Sequence, residues 1–154
     1  MRLLLWLALA CALAAVAADD PDAERLPAGP GKEVVVRVCS ECHGMDNIRK
    51  KRLSEDDWGT TVSQMVDEGA QVSGDDVTVI VEYLGKNFGP DSKVWVNTAP
   101  LAELKSVLGF TNDEANAILA WRAEKGDFKS AADVQKVPGV DAGKVEAQKG
   151  KMTF

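Results

Sequence analysis

Cys39-Ser40-Glu41-Cys42-His43 places two thiols three positions apart, with a histidine directly after the second. Thiols at that spacing can each form a thioether to a haem vinyl group. The histidine then meets the iron from one face, so the stretch reads as a c-type haem attachment site. His43 is the sole histidine in 154 residues. As an iron ligand it leaves no second histidine for the iron, for a general base or for a Ser-His-Asp triad. A Cys-x-x-Cys pair also suits a thioredoxin-like redox site or half of a zinc site. The redox site wants a βαβ context, and no alternating β pattern flanks the stretch. Zinc wants a fourth ligand, and the other cysteine, Cys11, lies in a segment expected to be removed.

That segment is the N-terminus. Arg2 is followed by the apolar run Leu3 to Leu13, then by the small-x-small site Ala15-Val16-Ala17 and by Asp19, Asp20 and Asp22. The pattern predicts a secretory signal peptide over residues 1–18. A membrane anchor is the alternative, but the run is short and Ala-rich for a span of about 20 residues. Lipoprotein cleavage at Cys11 would leave a very short apolar segment, with Ala8 where Leu is usual. The mature chain then keeps only Cys39 and Cys42, both consumed by haem, and no disulfide is expected despite an oxidising compartment. No transmembrane helix is expected after the signal. Since bacterial c-type haem is joined to protein after translocation, export and attachment agree, and the expected location is the periplasm.

The remainder divides into residues 19–91 and residues 92–154, with Gly89-Pro90-Asp91-Ser92 as the linker. Each part is small for a self-sufficient core, and in the first the haem would supply much of the apolar interior. Ala18 to Asp91 carries a net charge of −8, and Ser92 to Phe154 a net charge of +1. Three helices are predicted in the first part. Gly31 to about Val38 leads into the haem motif. Ser54-Glu55-Asp56-Asp57 opens a second helix carrying Trp58, Val62, Met65 and Val66. Ser73-Gly74-Asp75-Asp76 opens a third, with Val77, Ile80, Val81 and Leu84 as its apolar stripe, ended by Gly85 to Gly89. This order resembles a small class I cytochrome c over most of residues 31–90. The resemblance implies that the first and last helices cross and pack.

A methionine thioether is the usual sixth ligand of such an iron. Met45 lies too near His43 to reach the other face, Met152 belongs to the second part, and Met1 leaves with the signal. Met65 is therefore the candidate axial ligand, and a gap-filling core methionine is its bland alternative. Trp58-x6-Met65 followed by Gly69 also resembles the small cytochrome domains of quinohaemoprotein amine dehydrogenases, where a helix methionine faces the iron. A five-coordinate iron open to small gases or peroxide is the other reading. Arg49-Lys50-Lys51-Arg52 is the dense basic run of this acidic part. A solvated loop, pairing with haem propionates and docking of an acidic redox partner all remain open for it.

In residues 92–154 a helix, a Gly-containing turn and a helix occur twice. Leu101 to Leu108 ends in Gly109-Phe110-Thr111, and Asn112 to Lys125 follows from the box Thr111-Asn112-Asp113-Glu114. Gly126 to Ser130 turns the chain into Ala131 to Val137, and Pro138-Gly139-Val140-Asp141 leads into a last helix expected over Ala142 to Lys151. These positions, with Val96 to Ala99, Leu104, Ala117-Ile118 and Trp121-Arg122, resemble a tandem helix-hairpin-helix domain. Its relatives include the exported DNA receptor of naturally competent bacteria, which implies DNA binding. Against it, the second glycine of each turn is replaced, by Thr111 and by Asp141, and Asp141 would stand where a phosphate should sit. Asp113 and Glu114 add negative charge beside the first turn, although a helix N-terminus wants such acids for its own stability. Lys144, Lys149 and Lys151 are the compensating lysine face. A related domain in luminal subunits of oxygenic photosystem II works through protein contact, so fold alone does not decide.

The expectation is an all-α chain: a small class I cytochrome c domain followed by a tandem helix-hairpin-helix domain. Cys39 and Cys42 anchor one haem c, and His43 and Met65 ligate its iron. The chain would carry single electrons to and from redox partner proteins and would not be an enzyme, with the second domain as a docking module. The alternatives are a DNA-associated envelope cytochrome and a five-coordinate haem sensor or enzyme. Trp95 and Trp121 are expected to be packing residues.

Overall fold

The computed structural model describes residues 25–154; the expected signal peptide lies outside them. The described chain is mostly helical and holds two separate apolar cores.

In the first unit, α1 (Lys32–Cys39) buries Val35 and Val38. It crosses α4 (Gly74–Asn87) at a position that only glycine allows. Gly31 has φ 91°, and a Cβ there would lie 2.9 Å from Tyr83 Cβ and 3.0 Å from the Val79 carbonyl oxygen. The first and last helices of this unit therefore do pack, as expected. The Tyr83 hydroxyl donates to the Pro27 carbonyl at 2.6 Å and pins the segment before α1. A short helix absent from the sequence reading, α2 (Asp46–Arg49), follows the Cys-x-x-Cys-His stretch. Ser54 caps α3 (Glu55–Asp67) by accepting from the Asp57 N–H, and Ser73 caps α4 in the same way from Asp76. Trp58 and Val62 on α3 share a core with Ile80 and Leu84 on α4. The Trp58 indole N–H is satisfied by the Phe88 carbonyl at 3.1 Å.

The second unit begins with β1 (Val94–Trp95) and continues through α5 (Leu101–Ser106), α6 (Asn112–Lys125), α7 (Ala131–Val134) and α8 (Ala142–Gln148). The last helix stops at Gln148, short of the expected Lys151. A 3-10 turn over Lys149–Lys151 leads into β2 (Met152–Thr153), which pairs parallel with β1, Val94 opposite Met152. Met152 is thereby pulled into the second core beside Val94, Leu104, Ile118, Phe128 and Val145. Trp95 is not the packing residue expected. It alternates away from Val94 on the strand and is 49% exposed, whereas Trp121 does pack against the core.

The two units meet through the basic run. Arg49 and Glu103 are each 2% exposed, with Arg49 Nε 2.9 Å from Glu103 Oε2 and an Arg52 terminal nitrogen 2.7 Å from Oε1. The run is thus not a uniform solvated loop. Its arginines turn inward to α5 of the second unit.

Candidate functional site

A cleft of about 460 Å³ opens in the first unit, within the ~300–1,000 Å³ usual for cofactor and ligand sites. Val38 and Cys39 from the end of α1 line it, as do Cys42 and His43 from the turn that follows, and Ile48 on α2. From α3 come Trp58, Val62 and Met65, spaced four and three residues apart and so on one helical face. Ile80 and Leu84 on α4 also line it. Every site residue named from the sequence, Cys39, Cys42, His43 and Met65, therefore reaches one cavity. Met45, set aside as a ligand on sequence grounds, is fully buried in the core and does not line it.

The chemistry of the set is specific. The Gly44 carbonyl lies 3.1 Å from His43 Nδ1. A carbonyl can only accept, so Nδ1 is the donor of this pair, and in the neutral ring that arrangement leaves the Nε2 lone pair for a metal. Burial pushes the Cys39 thiol up to about 11, which is the reverse of the lowered thiol a thioredoxin-like nucleophile needs. Among the described residues no three His, Cys, Asp or Glu side chains are gathered as a metal-binding cluster. A haem c would use two thiols, an imidazole and an apolar slot, and a thioether can serve as its sixth ligand; side chains of each kind line this cleft. Lys50 and Lys51, which the sequence left undivided from their arginine neighbours, also line the cleft.

The second candidate surface is the pair of hairpin turns. Gly109 (φ 71°) and Gly139 (φ 85°) make the left-handed turns that the pattern demanded. The groups that follow them are already engaged. Glu114 accepts from the Thr111 N–H at 2.7 Å, from the Asp141 N–H at 3.2 Å and from Lys144 Nζ at 2.5 Å. Thr111 in return caps the Glu114 N–H, completing the capping box. Burial alone would raise the Glu114 carboxyl, but Lys144 and the backbone N–H groups of Thr111 and Asp141 hold it down at about 2. One carboxylate thus ties both turns together at the two positions where a second glycine would stand. Asp141 itself accepts from the Gly143 and Lys144 N–H groups.

Other cations of this unit are engaged as well. Arg122 donates to the Val96 and Ala99 carbonyls, and Lys149 pairs with Glu146. Of the expected lysine face, two of three members are paired with acids. Asn97, which the sequence did not single out as functional, clamps the Phe128 backbone through both amide atoms at 2.8 Å.

Two hairpins with glycine turns over one shared core describe a known architecture, and residues 90–153 match the helix-hairpin-helix motif. The second unit is a helix-hairpin-helix domain. The chain is also 37% identical over 65 residues to ComE operon protein 1 of Bacillus subtilis (strain 168). That match covers 42% of this chain and 32% of the relative, so the chain spans about a third of the curated protein it resembles. No solved structure matches the chain.

Proposed function

We propose that this chain is an exported, periplasmic c-type cytochrome whose helix-hairpin-helix domain carries it to its partner. The observation behind the first half is the single cleft that collects Cys39, Cys42, His43 and Met65 on apolar walls. When bound there, one haem c would supply a reversible one-electron couple. Cys39 and Cys42 would anchor it, His43 Nε2 and the Met65 thioether would ligate the iron, and Trp58 and Val62 would exclude water from it. The role is electron transfer rather than catalysis by side chains. Among the described residues no helix is long and apolar enough to cross a membrane.

For the partner, the comparisons favour DNA over a redox protein. They join the second domain to the helix-hairpin-helix motif and to ComE operon protein 1, and the sequence resembles exported DNA receptors. The chain would then be a DNA-associated envelope cytochrome. Protein docking is the second reading, and it rests on Glu114, which occupies the turn N–H groups that would otherwise meet a phosphate.

Two measurements test these halves. The absorption spectrum of the purified full-length protein should show covalent haem, and Met65→Ala should lose the sulfur-ligated iron spectrum. An unchanged iron spectrum would remove Met65 from the site, and carbon monoxide binding by the parent would favour a five-coordinate iron. A duplex DNA titration at low and moderate salt decides the partner. Binding that weakens steeply with salt supports DNA; no binding at low salt leaves protein docking.

A further inference from the structure

The basic run Arg49 to Arg52 is split by the fold into two pairs with different duties. Both arginines face the second domain. Besides Glu103, Arg49 donates to the Arg25 carbonyl at 3.1 Å and to Thr98 Oγ1 at 3.3 Å. Arg52 donates to the Ser92 carbonyl at 3.1 Å, and to the carbonyls of Arg49 and Lys51 at 3.0 and 2.8 Å. The guanidinium of Arg52 also lies 5.6 Å from the centre of the Phe88 ring. The two lysines between them line the cleft instead. The Glu103 carboxylate faces the buried Arg49 and the partly buried Arg52, so losing either partner would leave charge uncompensated away from water, and all three side chains are held in one arrangement. Here the geometry fixed is that of the loop bearing Lys50 and Lys51. Lys51 is further restrained because its N–H donates to the Ile48 carbonyl, and Leu53 donates to the Phe88 carbonyl that also accepts from Trp58.

We propose that Glu103 is a positioning residue for the cleft. By clasping Arg49 and Arg52 it fixes the loop that presents Lys50 and Lys51, so the helix-hairpin-helix domain sets the positive charge at the redox site. The inference rests on the cytochrome reading. Cations beside a redox iron disfavour its oxidised, more positive form and raise its potential. Glu103 reaches the cleft only through the arginines and the loop, so its effect should depend on the lysines.

The experiment is a double-mutant cycle on the full-length holo-protein, read as midpoint potential at low salt, with Glu103→Gln against the pair Lys50→Gln and Lys51→Gln. In the parent, neutralising the lysines should lower the potential. In the Glu103→Gln background the same change should lower it clearly less, and amide exchange over Lys51 to Leu53 should be faster than in the parent. Equal lysine effects in both backgrounds, or unchanged exchange, would overturn the role of Glu103 while leaving the cytochrome reading intact. Absence of covalent haem in the parent would overturn both. Should Glu103→Gln fail to fold, Arg52→Gln keeps the Arg49–Glu103 pair and completes the same cycle.

Discussion

Replacing Glu114 by Gln should loosen both hairpin turns at once. The carboxylate accepts from two backbone N–H groups and one ammonium, whereas an amide offers one accepting oxygen and turns its NH₂ toward donors. Losing the charge-assisted bond to Lys144 costs about 1.5–3 kcal/mol, and losing the cap on Thr111 about 1 kcal/mol. The total of about 2.5–4 kcal/mol corresponds to a roughly 70-fold to 900-fold rise in local opening. Amide hydrogen exchange on the full-length protein reads this directly at Thr111 and Asp141, independently of the first unit. The pH dependence carries a sign. The folded carboxyl titrates at about 2 against an ordinary 4.5, so its contribution is fully present above pH 4.5 and is lost as the pH falls through 2. The difference between parent and Glu114→Gln should therefore hold from pH 7 to about pH 4.5 and shrink below it. Equal exchange at pH 7, or a difference that widens in acid, would refute the reasoning.

Three further outcomes are expected. Gly31→Ala forces a Cβ against Tyr83 and the Val79 carbonyl at positive φ, and should destabilise the first unit by about 1–3 kcal/mol in urea unfolding. Trp58→Phe removes the indole donor to the Phe88 carbonyl and should cost about 1–2 kcal/mol, read by unfolding of the same unit. Asp141→Gly restores a Gly-hydrophobic-Gly turn at a capping cost of a few tenths of a kcal/mol. By removing a charge beside the turn it should raise duplex DNA affinity at low salt by roughly fivefold; no gain would show that phosphates do not approach this turn.

The helices whose starts carry a local signal were legible. Ser54, Ser73 and Thr111 each accept an N–H three residues on, and that chemistry is written in consecutive residues. The cleft was legible for the same reason, since Cys39, Cys42 and His43 are neighbours and Trp58, Val62 and Met65 follow the helical period. What was missed depends on distant partners. A run of Arg and Lys reads the same whether solvated or buried, because Glu103, the residue that decides it, lies about fifty positions away. The β1–β2 pair is two residues long on each side and has no periodicity to read. The end of α8 was misplaced because Met152 leaves the helical pattern to enter the core beside Val94.

That strand pair has a consequence for the order of assembly. Val94 and Met152 are joined across nearly the whole second domain, so this contact carries the largest loop-closure cost in that core. A chain emerging from a ribosome cannot seal the core until residues 152 and 153 are free. Until then Val94, Leu104 and Ile118 lack one of their covering side chains. The capped stretches around Ser54, Ser73 and Thr111 can form early, because their contacts are local. Closure of the helix-hairpin-helix core therefore waits on residues 152 and 153, and until they pair with β1 the domain stays open to chaperones or proteases.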